Sequence, residues 1–224
     1  MPLSSGARAA LADVLRDAQR AGFLGDGPVE PHIAHGVDFC AAVRWARTQD
    51  PPCAAGGHVR VVDLGSGAGL PGLVLALADA GLEVVLLEAR ERRCAFLGAA
   101  IRRLELQGRV DVLHERAESA GRSPEHRGSF DVAVARAFGP PAVTAECAAP
   151  LLVVGGHLVV SEPPAWQGSG VVAERWPAGG LGALGMGPAL EWEDGHHFAV
   201  IRQEHAASDR FPRRVGVAAK RPLF

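Results

Sequence analysis

The chain has 224 residues, of which 48 % are hydrophobic, enough for one large domain with a buried core. Its 23 basic and 25 acidic side chains leave a net charge of −2, so the molecule as a whole is not a general binder of polyanions. No apolar run reaches the roughly 18 residues of a membrane span. The chain opens without a signal-peptide hydrophobic region, and its four cysteines form no close pair. We therefore expect a cytoplasmic protein with no membrane association.

Two helices are expected at the start of the chain. The first is capped by Ser4 or Ser5 and runs to about Arg20, and the second begins behind Pro31. The stretch QDPPCAAGG, at 49–57, has the composition of a linker. We therefore assign residues 1–57 to an N-terminal helical segment.

Short apolar runs then alternate with helical patterns. The expected strands are Val59–Leu64, Glu83–Leu87, Arg109–Leu113, Phe130–Ala135 and Gly156–Ser161. The expected helices between them are Pro71–Ala80, Arg90–Glu105 and Pro140–Ala149. Such alternation predicts a parallel sheet with helices on both faces.

The pattern changes after the fifth strand. PALEWED and HHFAVIRQE are separated by so few residues that they favour an antiparallel hairpin at the sheet edge. The result is a seven-stranded, mostly parallel α/β sheet with an antiparallel last strand. This is the layout of the Rossmann-like class I methyltransferase fold, and by itself it does not fix a substrate.

The most informative motif is VVDLGSGAGLPG, at 61–72. An apolar run stops at Asp63, and Gly65, Gly67 and Gly69 follow at every second position before Pro71 opens a helix. Glycines so placed let the backbone turn sharply and let a ligand touch the main chain. The motif predicts a strand, a nucleotide-cradling turn and a helix start, in which Asp63 supports either the loop or a cofactor amino group.

The type of nucleotide follows from what the turn lacks. The dinucleotide fingerprint requires a third glycine where this chain has Leu70, and Pro71 removes a donor that a pyrophosphate would use. A nicotinamide oxidoreductase is therefore disfavoured. S-adenosylmethionine carries no phosphate and fits better. Glu88 ends the next strand about 20 residues beyond the glycines, where a carboxylate can accept hydrogen bonds from both ribose hydroxyls.

Several stretches in order resemble the ribosomal RNA small subunit methyltransferase G family, also called glucose-inhibited division protein B, which modifies guanine N7 in 16S ribosomal RNA. They are VVDLGSGAGLPGLVLAL, LLEARERRCAFL, HERAES, FDVAVARAF, DGHHFAVIRQE and FPRRVGVAAKRPL. They span roughly three-quarters of the chain, and their order and spacing make the resemblance specific. It implies that residues 58–205 form the methyltransferase domain and that residues 206–224 are a basic tail.

The resemblance also implies roles for individual residues. Gly65 and Leu70 would contact S-adenosylmethionine through the loop, while Ala117 and Glu118 would flank its adenine. Arg136 would lie at the end of the fourth strand, where its cation could hold the cofactor carboxylate or steer an RNA phosphate. Arg136 is thus the one candidate catalytic residue.

The chain departs from the family in regions that would face the RNA. The family's Ala-Leu-Lys-Gly segment is replaced by VVSEPPAW, so that Glu162 stands where a lysine cation is usual. The family's N-terminal His-Leu-Leu-Asp-Ser-Leu signature survives only loosely as PHIAHGVDF. Two alternatives therefore stay open: a methyltransferase of this fold acting on a small molecule, and a non-catalytic module that binds the cofactor or RNA.

The chemistry of guanine N7 methylation fits the residues present. N7 has a free lone pair and no proton to lose, so proximity and alignment suffice without a general base. In A-form RNA N7 faces a deep and narrow groove, so the base should be unpaired, and Trp166 or Phe138 could stack on it.

The end of the chain carries a local excess of positive charge. Its five cations, which we expect to bind RNA phosphates in a salt-dependent way, are Arg210, Arg213, Arg214, Lys220 and Arg221.

The histidine pairs His32/His35 and His196/His197 lack convergent carboxylates or thiols, so we expect no metal. The expected partner is small-subunit ribosomal RNA or the ribosomal subunit, and the expected state is a monomer.

Overall fold

The computed structural model describes residues 3–49, 59–163 and 172–224. In this part of the chain seven strands form one sheet in the order β3-β2-β1-β4-β5-β7-β6. The strands are β1 Val59–Leu64, β2 Leu82–Glu88, β3 Val110–His114, β4 Phe130–Ala135, β5 Leu152–Ser161, β6 Leu190–Asp194 and β7 His196–Arg202. The first five are parallel, and β7 is antiparallel to both of its neighbours, β5 and β6. The predicted seven-stranded α/β sheet is confirmed.

Helices cover both faces of this sheet. They are α1 Ser5–Arg20, α2 Glu30–Thr48, α3 Gly72–Ala78, α4 Glu91–Arg103, α5 Ala117–Ala120, α6 Pro141–Ala148, α7 Val172–Arg175, α8 Ala178–Gly182 and α9 Val217–Lys220. Adjacent strand residues face opposite sides, and on β1 Val61 joins one buried cluster with α1 to α4 whereas Val62 joins another with α5 and α6. None of the helices in the described ranges is long and apolar enough to cross a membrane.

The N-terminal helices follow their sequence signals. Ser4 accepts the Ala7 N–H on its hydroxyl at 3.2 Å, which caps α1 as predicted. In α2, Pro31 lies in the first turn, where its missing N–H costs nothing. The predicted linker at 49–57 lies almost wholly outside the described residues.

The fifth strand begins earlier than the predicted Gly156. It starts at Leu152 and contains a shift of register against β4 between Phe130 and Val132. Gly155 has a φ of +88°, a conformation that glycine adopts without steric cost. The two glycines therefore mark a bulge inside the strand rather than its start.

The C-terminal residues pack on the domain. Arg127 donates from Nη2 to the Ala207 carbonyl at 2.6 Å and from Nη1 to the Phe211 carbonyl at 2.8 Å. Phe211 is buried, and α9 follows it. The basic tail is therefore part of the fold from residue 207 onward.

Candidate functional site

The strand order brings the predicted cofactor residues to one edge of the sheet. The glycine turn follows β1, Glu88 ends β2, Ala117 and Glu118 follow β3, and Arg136 follows β4. Because these strands are parallel neighbours, their carboxyl ends meet at the same edge, which is where open α/β sheets bind ligands.

The turn after β1 has the backbone that its glycines predicted. Gly65, Gly67 and Gly69 have φ values of +64°, +57° and +89°, in the left-handed region that other residues rarely adopt. The N–H groups of Gly65 and Ser66 donate to the Leu87 carbonyl at 2.8 and 3.1 Å, which ties the turn to β2. A Cβ on Gly69 would lie 2.3 Å from the Leu73 side chain. The conformation thus favours glycine at all three positions, and at Gly69 the lack of space favours it as well.

Leu70 follows this turn with its side chain in the core. It is only 6 % exposed and joins the apolar cluster beneath α3. Its side chain is therefore turned away from solvent, and the predicted contact of Leu70 with a cofactor would involve its backbone.

Glu88 is a buried carboxylate that binds the glycine turn. Its Oε2 accepts the Gly67 N–H at 3.1 Å, and its Oε1 accepts the Arg90 N–H at 2.9 Å. The Arg93 guanidinium lies 3.7 Å away from Oε2. Each oxygen keeps a second lone pair, so the carboxylate can still accept hydrogen bonds from a ligand.

Asp63 is fully buried beneath the same turn. Its Oδ2 accepts the Gly72 N–H at 3.0 Å, which fixes the first turn of α3. Its Oδ1 has no hydrogen-bond partner among the described residues. Burial raises the pKa of this carboxyl to about 7, and the Gly72 N–H only partly opposes the rise. Asp63 thus supports the loop through one oxygen and leaves the other for a donor.

Arg136 is held in place by a histidine. Its Nη2 lies 2.6 Å from His32 Nδ1, and burial together with this cation lowers the pKa of His32. A neutral imidazole can accept the guanidinium N–H, so α2 positions the arginine at the end of β4. Sequence reasoning considered His32 only as a metal ligand and missed this contact, because nothing in the motif pairs residues 104 positions apart.

Ala117 and Glu118 begin α5, directly after β3. Ala117 is buried, and Glu118 accepts the Gly216 N–H on Oε1 at 2.9 Å. The contact joins the adenine side of the expected site to the C-terminal residues, which the sequence had placed in a separate tail.

A cavity of about 340 Å³ opens beside the glycine turn, at the ends of β4 and β5. Its polar wall includes His35, Arg136, Glu162 and Arg175. Phe138 also lines it and lies against the turn, since a Cβ on Gly65 would be 2.8 Å from its ring. Of the two aromatic residues predicted to stack on a base, Phe138 therefore lines this cavity, whereas Trp166 lies outside the described residues.

The backbone between Arg136 and Phe138 is unusual. Ala137 has a φ of +54°, a value uncommon for a residue other than glycine. Strained backbone of this kind clusters at functional sites, and here it lies in the wall of the cavity.

Glu162 is held by residues after β5. Its Oε1 accepts the Trp176 indole N–H at 2.9 Å, and its Oε2 pairs with Arg175 Nε. The carboxylate that replaces the family's lysine is thus neutralised by a cation from α7.

The five cations of the C-terminal segment divide into two groups. Arg210, Arg214, Lys220 and Arg221 are exposed. Arg213 instead forms a bidentate ion pair with the wholly buried Glu146, with contacts from 2.5 to 3.1 Å. Its guanidinium is engaged inside the protein, so the exposed four present the positive charge to solvent.

The histidines of α2 and β7 pack against each other. The rings of His35 and His196 stack at a centroid distance of 4.3 Å, and His196 Nδ1 lies 2.6 Å from Asp38 Oδ2. Across the described ranges, no group of three or more His, Cys, Asp or Glu residues is placed to hold a metal ion.

Comparison with known proteins identifies similar sequences over most of the chain. The family model GidB, described as rRNA small subunit methyltransferase G, matches residues 51–162. The ribosomal RNA small subunit methyltransferase G of Moorella thermoacetica is 36 % identical over 180 residues, which cover 77 % of this chain and 71 % of that protein. The protein of the same name from Symbiobacterium thermophilum is 34 % identical over 204 residues, or 88 % of this chain and 80 % of that protein.

Solved structures show the same architecture. A SAM-dependent O-methyltransferase from Thermotoga maritima aligns with a TM-score of 0.56 over 88 % of this chain and 72 % of that chain. Its sequence is only 12 % identical, so the likeness concerns the fold alone. It confirms the class I methyltransferase fold that the sequence predicted.

Proposed function

The chain belongs to the rRNA small subunit methyltransferase G family, and from that membership we propose that it transfers a methyl group from S-adenosylmethionine to guanine N7 of small-subunit (16S) ribosomal RNA. The observation that carries the proposal is one sheet edge, where the glycine turn and the Glu88 carboxylate meet an Asp63 oxygen that has no hydrogen-bond partner among the described residues. These groups offer bare backbone and acceptors, which suit a cationic adenosyl ligand without phosphates.

The residues of this edge fit the cofactor part by part. Glu88 would accept the ribose hydroxyls, and Asp63 Oδ1 would accept the amino group of the methionine part. Arg136, whose observed partner is a histidine nitrogen rather than a carboxylate, would bind the cofactor carboxylate. When bound, S-adenosylmethionine supplies an electrophilic methyl group on a sulfonium.

The protein's contribution to the reaction is alignment. Guanine N7 attacks with its own lone pair, so no side chain has to remove a proton. The cavity at the ends of β4 and β5 would hold the base with Phe138 against its face, beside the turn that holds the cofactor. Holding two reactants in line accounts for much of the acceleration that such a transfer needs.

The remaining assignments belong to the same proposal. Residues 58–205 would form the catalytic domain, residues 1–57 would supply His32 and His35 to its edge, and residues 206–224 would bring four exposed cations to the RNA. The enzyme would work as a monomer in the cytoplasm, where ribosomal RNA is assembled into subunits.

The proposal is tested by mapping modified guanines by mass in ribosomal RNA from cells with and without this protein. We expect one N7-methylguanine of the small-subunit RNA to disappear on deletion and to return with the wild-type chain. The variant Glu88→Gln should not restore it. A full methyl signal in the deleted strain would contradict the assignment.

A second candidate function is favoured by Glu162 alone. A carboxylate paired with Arg175 stands in the cavity wall where the family has a lysine, so this wall lacks the free cation that would attract a polyanion and is better suited to a small, uncharged acceptor. Incubating the protein with methyl-labelled cofactor separates the two functions. Label in isolated small-subunit RNA supports the first, and label only in a small-molecule extract supports the second.

A further inference from the structure

The helix that carries Ala117 and Glu118 is too short to hold its own position. α5 has four residues, and a single turn of helix is unstable without tertiary contacts. Glu118 is half-buried, so its carboxylate direction depends on what packs against α5.

The C-terminal segment 211–216 contacts both ends of this helix. At its start, the Gly216 N–H donates to Glu118 Oε1 at 2.9 Å. At its end, Pro212 packs on Gly121, where an added Cβ would lie 3.0 Å from Pro212 Cγ. Arg127 Nη1 bridges the two elements, since it donates to the Gly121 carbonyl at 3.0 Å and to the Phe211 carbonyl at 2.8 Å.

The segment is itself anchored independently of α5. Arg213 binds the buried Glu146 of α6 through its guanidinium and also through its backbone N–H at 2.8 Å. Phe211 is buried in an apolar cluster that also contains Ala145 and Ala148 of α6. Gly216 has a φ of +78°, the left-handed conformation in which its N–H is presented to Glu118. Because Arg213 and Phe211 fix the segment, the Gly216 N–H is held in one place and in turn fixes the orientation of the Glu118 carboxylate.

We propose that the segment 211–216 forms an outer wall of the cofactor site and that Gly216 is a positioning residue that aims the Glu118 carboxylate at the adenine. Oε1 of Glu118 is taken by Gly216, whereas Oε2 has no protein donor among the described residues and is left for the adenine amino group. The inference rests on the proposed function, because it takes Glu118 to be an adenine contact.

Gly216→Pro removes the N–H that holds Glu118 and also forces φ from +78° to about −65°, whereas Gly216→Asn keeps both the N–H and the left-handed conformation, which asparagine tolerates. With S-adenosylhomocysteine as the calorimetric probe, we expect the Kd of Gly216→Pro to rise about tenfold and that of Gly216→Asn to stay within about twofold of wild type. Adenosine alone should show the same ratio, since the affected contact is to adenine.

A double-mutant cycle shows whether Gly216 acts through Glu118. In a Glu118→Ala background, Gly216→Pro should have no further effect on the Kd. Equal reductions of affinity in both backgrounds, or an unchanged Kd for a folded Gly216→Pro, would overturn the inference while leaving the proposed function intact. Absence of binding to the wild-type chain would instead reject the proposed function.

A measurement on the wild-type chain covers the case in which the proline variant does not fold. Amide exchange at Gly216 reports how firmly its N–H is held by Glu118. We expect S-adenosylhomocysteine to slow this exchange several-fold, because adenine fixes the carboxylate from its other side. Unchanged exchange at saturating probe would contradict the coupling.

Discussion

Two buried carboxylates lie under one glycine turn and are stabilised differently. Glu88 receives backbone N–H groups on both oxygens and has Arg93 nearby, so its charge is supported. Asp63 receives one N–H, and its second oxygen has no partner among the described residues, so its charge is poorly supported until a ligand arrives. We therefore expect neutralising Asp63 to change how stability depends on pH, and neutralising Glu88 to weaken cofactor binding.

Asp63→Asn should change how stability depends on pH. The pKa of Asp63 is raised by burial to about 7 in the folded protein, against about 4 in an unfolded chain. The folded state therefore binds the extra proton, and the stabilisation is fully present below pH ~4 and is lost as pH rises through about 7. Urea unfolding of the cofactor-free protein should show that wild type becomes less stable relative to Asp63→Asn by a few kcal/mol across this range.

The control for this experiment is Asp111→Asn, since Asp111 is an exposed carboxylate on β3. The difference in the free energy of unfolding between Asp111→Asn and wild type should not vary as pH rises from ~4 to ~7. A flat difference between wild type and Asp63→Asn would mean that the buried carboxyl is already ionised at pH ~4.

Glu88→Gln should weaken cofactor binding by about tenfold to a hundredfold, the range expected for charge-assisted hydrogen bonds. The amide would also turn its NH₂ group toward either the Gly67 or the Arg90 N–H, both of which need an acceptor. Calorimetry with S-adenosylhomocysteine measures the change. Glu91→Gln, an exposed carboxylate three residues along, serves as the matched control and should bind like wild type. Equal affinity of Glu88→Gln and wild type would remove Glu88 from the site.

At the scale of elements, a buried ion pair joins α6 to the C-terminal segment. Glu146 is 0 % exposed, and its carboxylate is satisfied entirely by Arg213. Removing one partner of such a pair leaves a buried charge without compensation.

Arg213→Ala should therefore lower the free energy of unfolding by about 3–5 kcal/mol. Arg214→Ala, which removes an exposed neighbour of the same type, should change it by less than about 0.5 kcal/mol. Chemical denaturation of the two variants makes the comparison. Similar effects of the two substitutions would show that the Arg213–Glu146 pair contributes little.

At the scale of the whole molecule, the chain is nearly neutral but carries a local excess of positive charge in its C-terminal segment. The net charge is −2, yet Arg210, Arg214, Lys220 and Arg221 are exposed in the C-terminal segment, whose Gly216 binds Glu118. A local patch of this kind binds phosphates by releasing counterions, which makes the affinity depend on salt.

The triple variant Arg214→Ala, Lys220→Ala, Arg221→Ala should bind small-subunit RNA more weakly and with a shallower dependence on salt. Every cation that no longer pairs with a phosphate should reduce the slope of log K against log salt by about 0.7–0.9. Filter binding between about 50 and about 200 mM salt measures the slope. Arg102→Ala is the control, because Arg102 is exposed near the end of α4, at the opposite edge of the sheet. An unchanged slope in the triple variant would remove the segment from the RNA interface.

Sequence patterns alone determined the class of fold and most of its strands, although the start of the fifth strand and the short helices α5, α8 and α9 were not predicted. Val59–Leu64 and Phe130–Ala135 were predicted with their observed bounds, because short apolar runs between turn signals are local features. The glycine turn was likewise readable, since Gly65, Gly67 and Gly69 encode a backbone conformation that no neighbour has to supply. Glu88 was predicted to end the next strand, and the parallel strand order places it against this turn, while its binding of ribose stays a prediction.

Only the tertiary structure decided how distant segments complete the edge. His32 reaches Arg136 from α2, Gly216 reaches Glu118 from the C-terminus, and Arg213 is withdrawn from the solvent-facing cations by Glu146. No sequence periodicity or motif predicts these pairs, because the two residues of each pair lie more than 60 positions apart in the chain. They come into contact only when the core packs. Local composition specifies which backbone a segment adopts, whereas the partner of a charged side chain depends on which surfaces the buried apolar clusters bring together.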